Sequence, residues 1–428
     1  PHPAHGSAVR HPLPQGERVS ERDAALSLLS AAPVRERAHE MLAAGLRGEL
    51  AHFTVDLESL STAAHVVSEL IRVNYPDLKV PFHARWRHFV IGARDLWAER
   101  AAQSAWQTPA ARARAEFDLA IVSVLLDAGA GPGWKYLDPA IEQVISRSEG
   151  LAIASLRMFE AGAFSSDPAD PLRADAEKLT QLKHEEIADG FQSMVGNRLV
   201  GVEGRAELLA SLGKAVAANP KVFARQDRAR PGGLYDHLAS LAEDGRLPAP
   251  RILDALLDHL GPIWPSRLSL GGVPLGDTWR HPAIKRDDAT NGLVPIHKLS
   301  QWLAYSLIEP LQWSGITVTD IEGLTGLAEY RNGGLFVDAG VLRLREPQEA
   351  LHPNPVGSVL VVEWRALTVA LLDEIAKLIR EQRSLTIEQF PLACVLEGGT
   401  WAAGRRLARE KRADGSPPIA VESDGTVF

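Results

Sequence analysis

Lys298 and Glu329 are the side chains whose types and settings suit chemistry best. They stand near the two ends of one tract, LVPIHKLSQWLAYSLIEPLQWSGITVTDIEGLTGLAEYRNGG, residues 293–334. Leu299, Trp302, Leu303, Leu307 and Pro310 share one face of a predicted helix, which puts Lys298 beside that face near the helix start. Positive charge is unfavourable at a helix N-terminus, so a lysine there invites a functional explanation. Glu329 precedes Tyr330, Arg331 and the pair Gly333-Gly334. Such glycines permit positive φ or a close backbone approach, and the spacing predicts a sharp turn. A cation and a carboxylate on two ordered elements that bracket a loop suit cleavage of a bond through a positively charged, sugar-like transition state. Read singly, Lys298 also fits a solvated surface lysine and Glu329 an arginine-paired structural carboxylate.

Four further blocks carry candidates. In LLDAGAGPGWKY, residues 125–136, Asp127 closes an apolar helix and a glycine-rich run leads to Trp134. Such a run can cradle a phosphate, but it matches neither a Walker A nor a dinucleotide fingerprint, and a tight inter-helix turn explains it more simply. In FHARWRHF, residues 82–89, His83 and Arg87 are spaced to share a helix face, and Arg85 and His88 could form an anion-binding one. His83 and His88 do not share a face, which weakens a metal reading. GDTWRHP, with Asp277 and Trp279, and LEGGTWAAGRR each join a carboxylate, a tryptophan and arginine in a loop-like setting. A tryptophan there supplies stacking area for a sugar or base. Asp254 and Asp258 read as a solvated acidic pair. There is no HExxH, no GxSxG and no Cys–His dyad.

The elements that must position these groups are mainly helical. Periodicity predicts two short helices in 20–47 broken at Pro33, then helices over 57–73, 84–102, 110–126, 139–160 and 174–189, one from Arg205, one over 252–260, and a late one through Trp364, Leu367, Leu371, Ile375 and Leu378. Strand-like segments are few: 268–275, 335–344 as a hairpin around Gly340, and 419–421. The expected fold is therefore mainly α, multi-helical, with a small sheet or hairpin in the C-terminal half. Residues 1–20 read as a flexible segment, 21–201 as a helical half and 202–428 as the half holding the Lys and Glu blocks, within one compact body.

Composition bounds the function. The chain of 428 residues is 45% hydrophobic and 23% charged, as expected of a globular protein. A net charge of -8 argues against non-specific nucleic-acid binding. No apolar run nears the roughly 20 residues that span a bilayer. One cysteine, Cys394, excludes an intramolecular disulfide and fits a reducing cytoplasm.

Together the blocks FHARWRHF, DLAIVSVLLDAGAGPGWKY, RSEGLAIASLRMFEAGAFSSDP, VGVEGRAELLASLG, LGDTWRHP, IHKLSQWLAYSLIEPL, LAEYRNGGLFVD and VVEWRALTVALLDEI resemble the URC4-type uracil catabolism family over nearly the whole chain. More distantly, IHKLSQWLAYSL, LTGLAEYRNGGL, VEWRALTVALLDEI, VSVLLDAGAGPGW and SEGLAIASLRM are similar to blocks of the queuosine-nucleotide N-glycosidases, whose fold resembles the helix-hairpin-helix DNA glycosylases. That likeness maps a family lysine onto Lys298 and a family aspartate, followed by Tyr-Arg, onto Glu329 with Tyr330 and Arg331. Where that family carries Val-Pro-Gln, this chain has Asn332-Gly333-Gly334, which implies a different leaving group. The resemblances imply hydrolysis of N-ribosylurea, as its 5'-phosphate, to urea and ribose 5-phosphate, with no cofactor and no metal. The implied partner is a small nucleotide-like molecule, not nucleic acid or a membrane. Glu329, Lys298 and Asp127 are the catalytic candidates. His297, Arg331, Tyr330, Arg85, His83, Trp134, Asp277 and Trp279 are the substrate-binding ones, with Asp127 or His297 facing the leaving nitrogen and Arg331 or Arg85 the phosphate. The rival readings are a metal-assisted amidohydrolase using His83, His88 or His281, and a non-catalytic nucleotide-binding protein of the same pathway.

Overall fold

A 25-residue helix, Val359–Arg383, runs through the middle of the protein, and every residue from Leu360 to Leu372 is buried. A helix apolar on all sides has to be enclosed by others. The computed structural model describes residues 15–422 apart from 128, 132, 225–227 and 265–266, with side chains described from residue 21. Its helices are α1 (Gln15–Ser27), α2 (Ala31–Leu46), α3 (Leu60–Asn74), α4 (Leu96–Ala102), α5 (Pro109–Leu125) and α6 (Arg147–Glu160). Next come α7 (Ala176–Gln181), α8 (His184–Gly190), α9 (Val202–Ala218), α10 (Pro220–Phe223), α11 (Gly233–Leu241) and α12 (Pro250–Leu260). The chain ends with α13 (Lys298–Trp313), α14 (Tyr330–Asp338), α15 (Val359–Arg383), α16 (Leu392–Val395) and α17 (Trp401–Lys411). The fold is mainly α.

α15 packs on α2, α3 and α14, α13 packs on α5 and α12, and α14 lies against α17. One continuous apolar core runs from Ala31 to Ile419, so both ends of the chain contribute to it. Local rules set the starts. Thr108 caps α5 by accepting from the Ala111 N–H at 3.1 Å, and Pro109 occupies the first turn, where its missing N–H costs nothing. Inside α13, Pro310 cannot donate to the Ser306 carbonyl one turn back. The Trp86 indole N–H donates to that carbonyl instead, at 2.7 Å. The buried helix thus tolerates its proline.

Among the described residues every sheet has two strands. Thr278–Arg280 pairs antiparallel with Leu293–Pro295, which leads directly into α13. Phe53–Val55 pairs antiparallel with Leu342–Leu344, joining distant parts of the chain. A small hairpin, Ser269–Leu270 with Val273–Pro274, turns across Gly271 and Gly272 at φ +54° and +77°. Val421–Glu422 pairs parallel with Asn354–Pro355.

Several expectations from periodicity are corrected. The hairpin expected over 335–344 is instead the end of α14 followed by one strand, and Gly333 and Gly334 lie within that helix, not in a turn. They serve close approach: a Cβ on Gly333 would sit 2.8 Å from the Trp364 ring. The helix expected over 84–102 is a short 3-10 turn, Arg85–Phe89, then a two-residue-stranded hairpin around Gly92 (φ +61°), then α4. Asp95 restarts the helix by accepting from the Ala98 N–H. His83 and Arg87 therefore share no α-helical face. The segment 139–160 becomes helical only at Arg147, after the strand pair Tyr136–Asp138 and Gln143–Ile145. The helix expected over 174–189 divides into α7 and α8 at Leu182, whose backbone is extended. The first helical pair breaks at 28–30, and Pro33 sits harmlessly in the first turn of α2. Of the segment 1–20 expected to be flexible, 1–14 lie outside the described residues and 15–20 open α1.

Candidate active site

α13 begins on a rigid mount. The Asp277 carboxylate accepts both Arg365 guanidinium nitrogens at 2.8 Å, the Trp279 indole N–H at 2.7 Å and the Lys298 backbone N–H at 3.0 Å. Burial alone would push this carboxyl up; the Arg365 charge and hydrogen bonds bring it down to about 2. Its two oxygens are committed to these donors, and the Trp279 indole N–H is committed to one of them. Asp277 and Trp279 thus form the support beneath Lys298. His297, the residue before α13, takes a left-handed backbone at φ +48° and is buried. Its Nε2 lies 3.0 Å from the Leu28 carbonyl, so Nε2 carries the proton and the ring faces the α1–α2 turn. Burial lowers its pKa despite nearby Asp277.

Glu329 is the N-cap of α14. Its carboxylate accepts the Arg331 and Asn332 backbone N–H groups at 2.7 and 2.6 Å. A helix N-terminus favours a negative charge, and these bonds hold the carboxylate in one orientation. Burial raises its pKa; the two backbone donors, Lys298 and His83 pull the other way. Lys298 shows the converse. Burial lowers its pKa, and Glu329 is foremost among the groups opposing that, followed by Asp127 and Asp277. Among the described residues the Lys298 ammonium has no hydrogen-bond or ion-pair partner. An ammonium that feels three carboxylates yet bonds to none of them can bind an incoming anionic or electron-rich group. Lys298 and Glu329 thus share one electrostatic neighbourhood, as do Asp127 and His83.

Asp127 lies just past the C-terminus of α5 and accepts from Arg85 Nη1 at 2.9 Å; Ser148, in the first turn of α6, is close enough to help lower its pKa. Arg85 is wholly buried. It donates Nε–H to Ser123 Oγ at 2.7 Å, and its guanidinium carbon sits 5.6 Å from the Trp302 ring centre. Burial raises the Asp127 pKa and lowers that of Arg85, each against the pull of its partner. His88, 3.5 Å from Arg85 through Nδ1, is driven well below the usual histidine range by burial and by Arg85, so its ring is neutral. His83 bonds through Nδ1 to Glu397 Oε2 at 2.8 Å, and its ring stacks on Trp302 with centroids 6.5 Å apart. Arg205 ties the start of the glycine-rich loop to the entry of α9, donating to the Leu126, Gly129 and Val200 carbonyls.

The remaining candidates lie to either side. Tyr330 is partly exposed beside Glu329, and burial followed by that carboxylate raises its pKa. The Arg331 guanidinium stacks 4.9 Å from the Tyr330 ring centre and donates to the Gly415 carbonyl at 2.9 Å, toward the C-terminal segment. Trp134 is buried, donates to the Phe191 carbonyl at 2.9 Å and packs on Phe191, so it holds the loop to α8. His281 bonds through Nε2 to Glu363 at 3.2 Å, a carboxylate that also accepts the Ala51 and His52 N–H groups. Among the described residues no three His, Cys, Asp or Glu side chains converge as a metal site. Two open surface depressions, one edged by Ile91 and Glu142 and the other by Thr180 and Arg228, contain none of these groups.

Sequence reasoning passed over four residues. Trp302 is one helical turn after Lys298, so the spacing already put both on one side of α13. Glu397 is the carboxylate of the LEGGTWAAGRR block, but its bond to His83 depends on a π-helical segment, Leu396–Thr400, which has no simple sequence pattern. Ser148 and Arg365 carried no local signal.

Comparison with known proteins places these groups in context. The family model described as a protein of unknown function, DUF1688, matches residues 27–428. The chain is 38% identical over 411 residues to "Protein urg3" of Schizosaccharomyces pombe, covering 94% of this chain and 98% of that protein. It is 35% identical over 415 residues to "Uracil catabolism protein 4" of Lachancea kluyveri, covering 89% of this chain and 93% of that protein. No helix among the described residues is long and apolar enough to cross a membrane.

Proposed function

The chain belongs to the DUF1688 family, and from that premise we propose that it acts in uracil catabolism as an N-glycosidase, hydrolysing a ribosylated urea 5'-phosphate to urea and ribose 5-phosphate. The place in uracil catabolism rests on the likeness to the Lachancea kluyveri relative, "Uracil catabolism protein 4". The reaction class rests on one observation above all: the Lys298 ammonium, without a bonded partner among the described residues, in the field of the helix-capping Glu329 carboxylate.

Rupture of C1'–N leaves an oxocarbenium-like sugar. The Glu329 carboxylate stabilises that charge and takes a proton from the water that adds to C1'. Its raised pKa makes it a better base than a carboxylate in water. The two backbone N–H groups hold it still, so it does not have to reorganise as the charge develops. Lys298 serves as the anion receptor, holding the substrate phosphate, and it tunes Glu329 by charge. Arg85 is a positioning residue in this scheme, since its guanidinium is bound to Asp127 and Ser123.

The experiment is incubation of the purified protein with ribosylurea 5'-phosphate while urea is measured, alongside Glu329→Gln. The wild-type protein releases urea; the variant loses about 10²- to 10⁴-fold in rate, as expected when a positioned acid–base group is removed. A variant as active as the wild type overturns this assignment.

A further inference from the structure

Resting on the N-glycosidase reading, we infer that His83 is the general acid that protonates the departing nitrogen and that Glu397 orients it. A urea nitrogen leaves poorly unless it gains a proton as C1'–N breaks, so a donor must face it. Three other groups fail on geometry. Asp127 is engaged by Arg85 in a buried ion pair at 2.9 Å. His297 has its Nε2 proton on the Leu28 carbonyl. His88 presents Nδ1 to the Arg85 guanidinium and stays neutral beside it.

His83 differs from all three. Its Nδ1 is fixed by Glu397 at 2.8 Å, which leaves Nε2 as the working nitrogen. Nε2 has no hydrogen-bond partner among the described residues and is not sealed from solvent, although the side chain is only 11% exposed. The ring plane is set by stacking on Trp302 at 27°, and the His83 backbone N–H is anchored to the Ala393 carbonyl at 3.0 Å. Glu397 has the Tyr75 side chain within its field. It stands on the π-helical segment before α17, a local form frequent at functional sites. Gly398 and Gly399 let that segment press on Ile71 and Val67 of α3; a Cβ at either would come within 3.0 and 2.5 Å of them. The charged and titratable groups around His83 are Glu397, Glu329 and His88, with Tyr75 behind Glu397. Carboxylate–imidazole pairing with one free nitrogen is the arrangement that lets a histidine pass a proton in a fixed direction.

The imidazolium Nε2–H gives its proton to the urea nitrogen as the C1'–N bond breaks, and the bonding electron pair stays on nitrogen. Water adds to C1' and gives its proton to Glu329, which returns it through solvent as His83 is reprotonated. The net reaction consumes one water and yields urea and ribose 5-phosphate.

The test compares His83→Gln and Glu397→Gln with the wild type on two substrates: ribosylurea 5'-phosphate and the 4-nitrophenyl riboside 5-phosphate, whose leaving group departs without a proton. The inference expects His83→Gln to lose about 10²- to 10⁴-fold in urea release but about tenfold or less in 4-nitrophenol release, the hallmark of lost general acid help. Glu397→Gln should show the same selectivity with a smaller drop. Retained nitrophenol release also shows that the variants are folded. Equal losses on both substrates, or no loss on either, overturn the role of His83 while the wild-type activity stands. No urea release by the wild type overturns the glycosidase reading and the inference with it.

Discussion

Replacing Asp127 by Asn should destabilise the fold by about 3–5 kcal/mol, because it removes the carboxylate from a buried ion pair and leaves the Arg85 charge in place. The setting supports the upper part of that range. Arg85 is wholly buried, the Asp127 side chain is 5% exposed, and the pair is 2.9 Å apart. Arg85 Nη2 is already a buried donor with no partner, so the guanidinium has little else to turn to. The cost of burial is also visible in both groups, since each is shifted toward its neutral form despite the other. Arg85→Met should cost a similar amount by stranding Asp127. The double variant is the decisive one. With both charges gone, neither is left buried alone, so the loss should be about that of one single variant, a coupling of about 3–5 kcal/mol. Additive losses of roughly 6–10 kcal/mol would exhaust the 5–15 kcal/mol that holds most domains folded. Denaturant unfolding of the four proteins at one pH reads this directly. A double variant whose loss equals the sum of the singles within about 0.5 kcal/mol would refute the pairing argument.

Two further outcomes follow from the site and its supports. The rate should fall on the acid side: activity needs ionised Glu329, so it is lost as pH falls through a pKa raised above 4.5. Because Lys298 pulls the Glu329 pKa down, Lys298→Met should move the acid limb to higher pH in any residual activity, and an unmoved limb would separate the two groups. Gly333→Ala should cost about 1–3 kcal/mol through overpacking, since its Cβ would meet the Trp364 ring at 2.8 Å; a neutral effect in thermal unfolding would show that α14 can back away from α15.

The sequence was most legible where a helix has one apolar stripe or is apolar throughout. α3, α5, α12, α13 and α15 lie close to where periodicity puts them, because burial of a continuous face dominates local preference. It was least legible where single residues override the pattern. Gly92 and Asp95 stop and restart the chain between Arg85 and Ala102. Gly333 and Gly334 read as a turn, yet they lie in a helix because Trp364 occupies the space a side chain would need. The same holds for the site. Lys298 could be named from its place at a helix start and Glu329 from the Tyr-Arg and glycine pair behind it, though that pair reads as a turn and lies in a helix; the structure sets the two within each other's field. The saturation of Asp277 could not be named, since Arg365 comes from a distant helix. Nor could the Glu397–His83 bond, which joins a π-helical segment to a 3-10 turn's entry across 314 positions of sequence.

The most direct measurement follows ribosylurea 5'-phosphate carrying carbon-13 at its carbonyl, by NMR, in the presence of the purified protein. The account predicts that the label appears in intact urea in step with ribose 5-phosphate, and that Glu329→Gln all but stops this. Label passing into carbon dioxide with release of ammonia, or a substrate left unchanged by the wild-type protein, would contradict it.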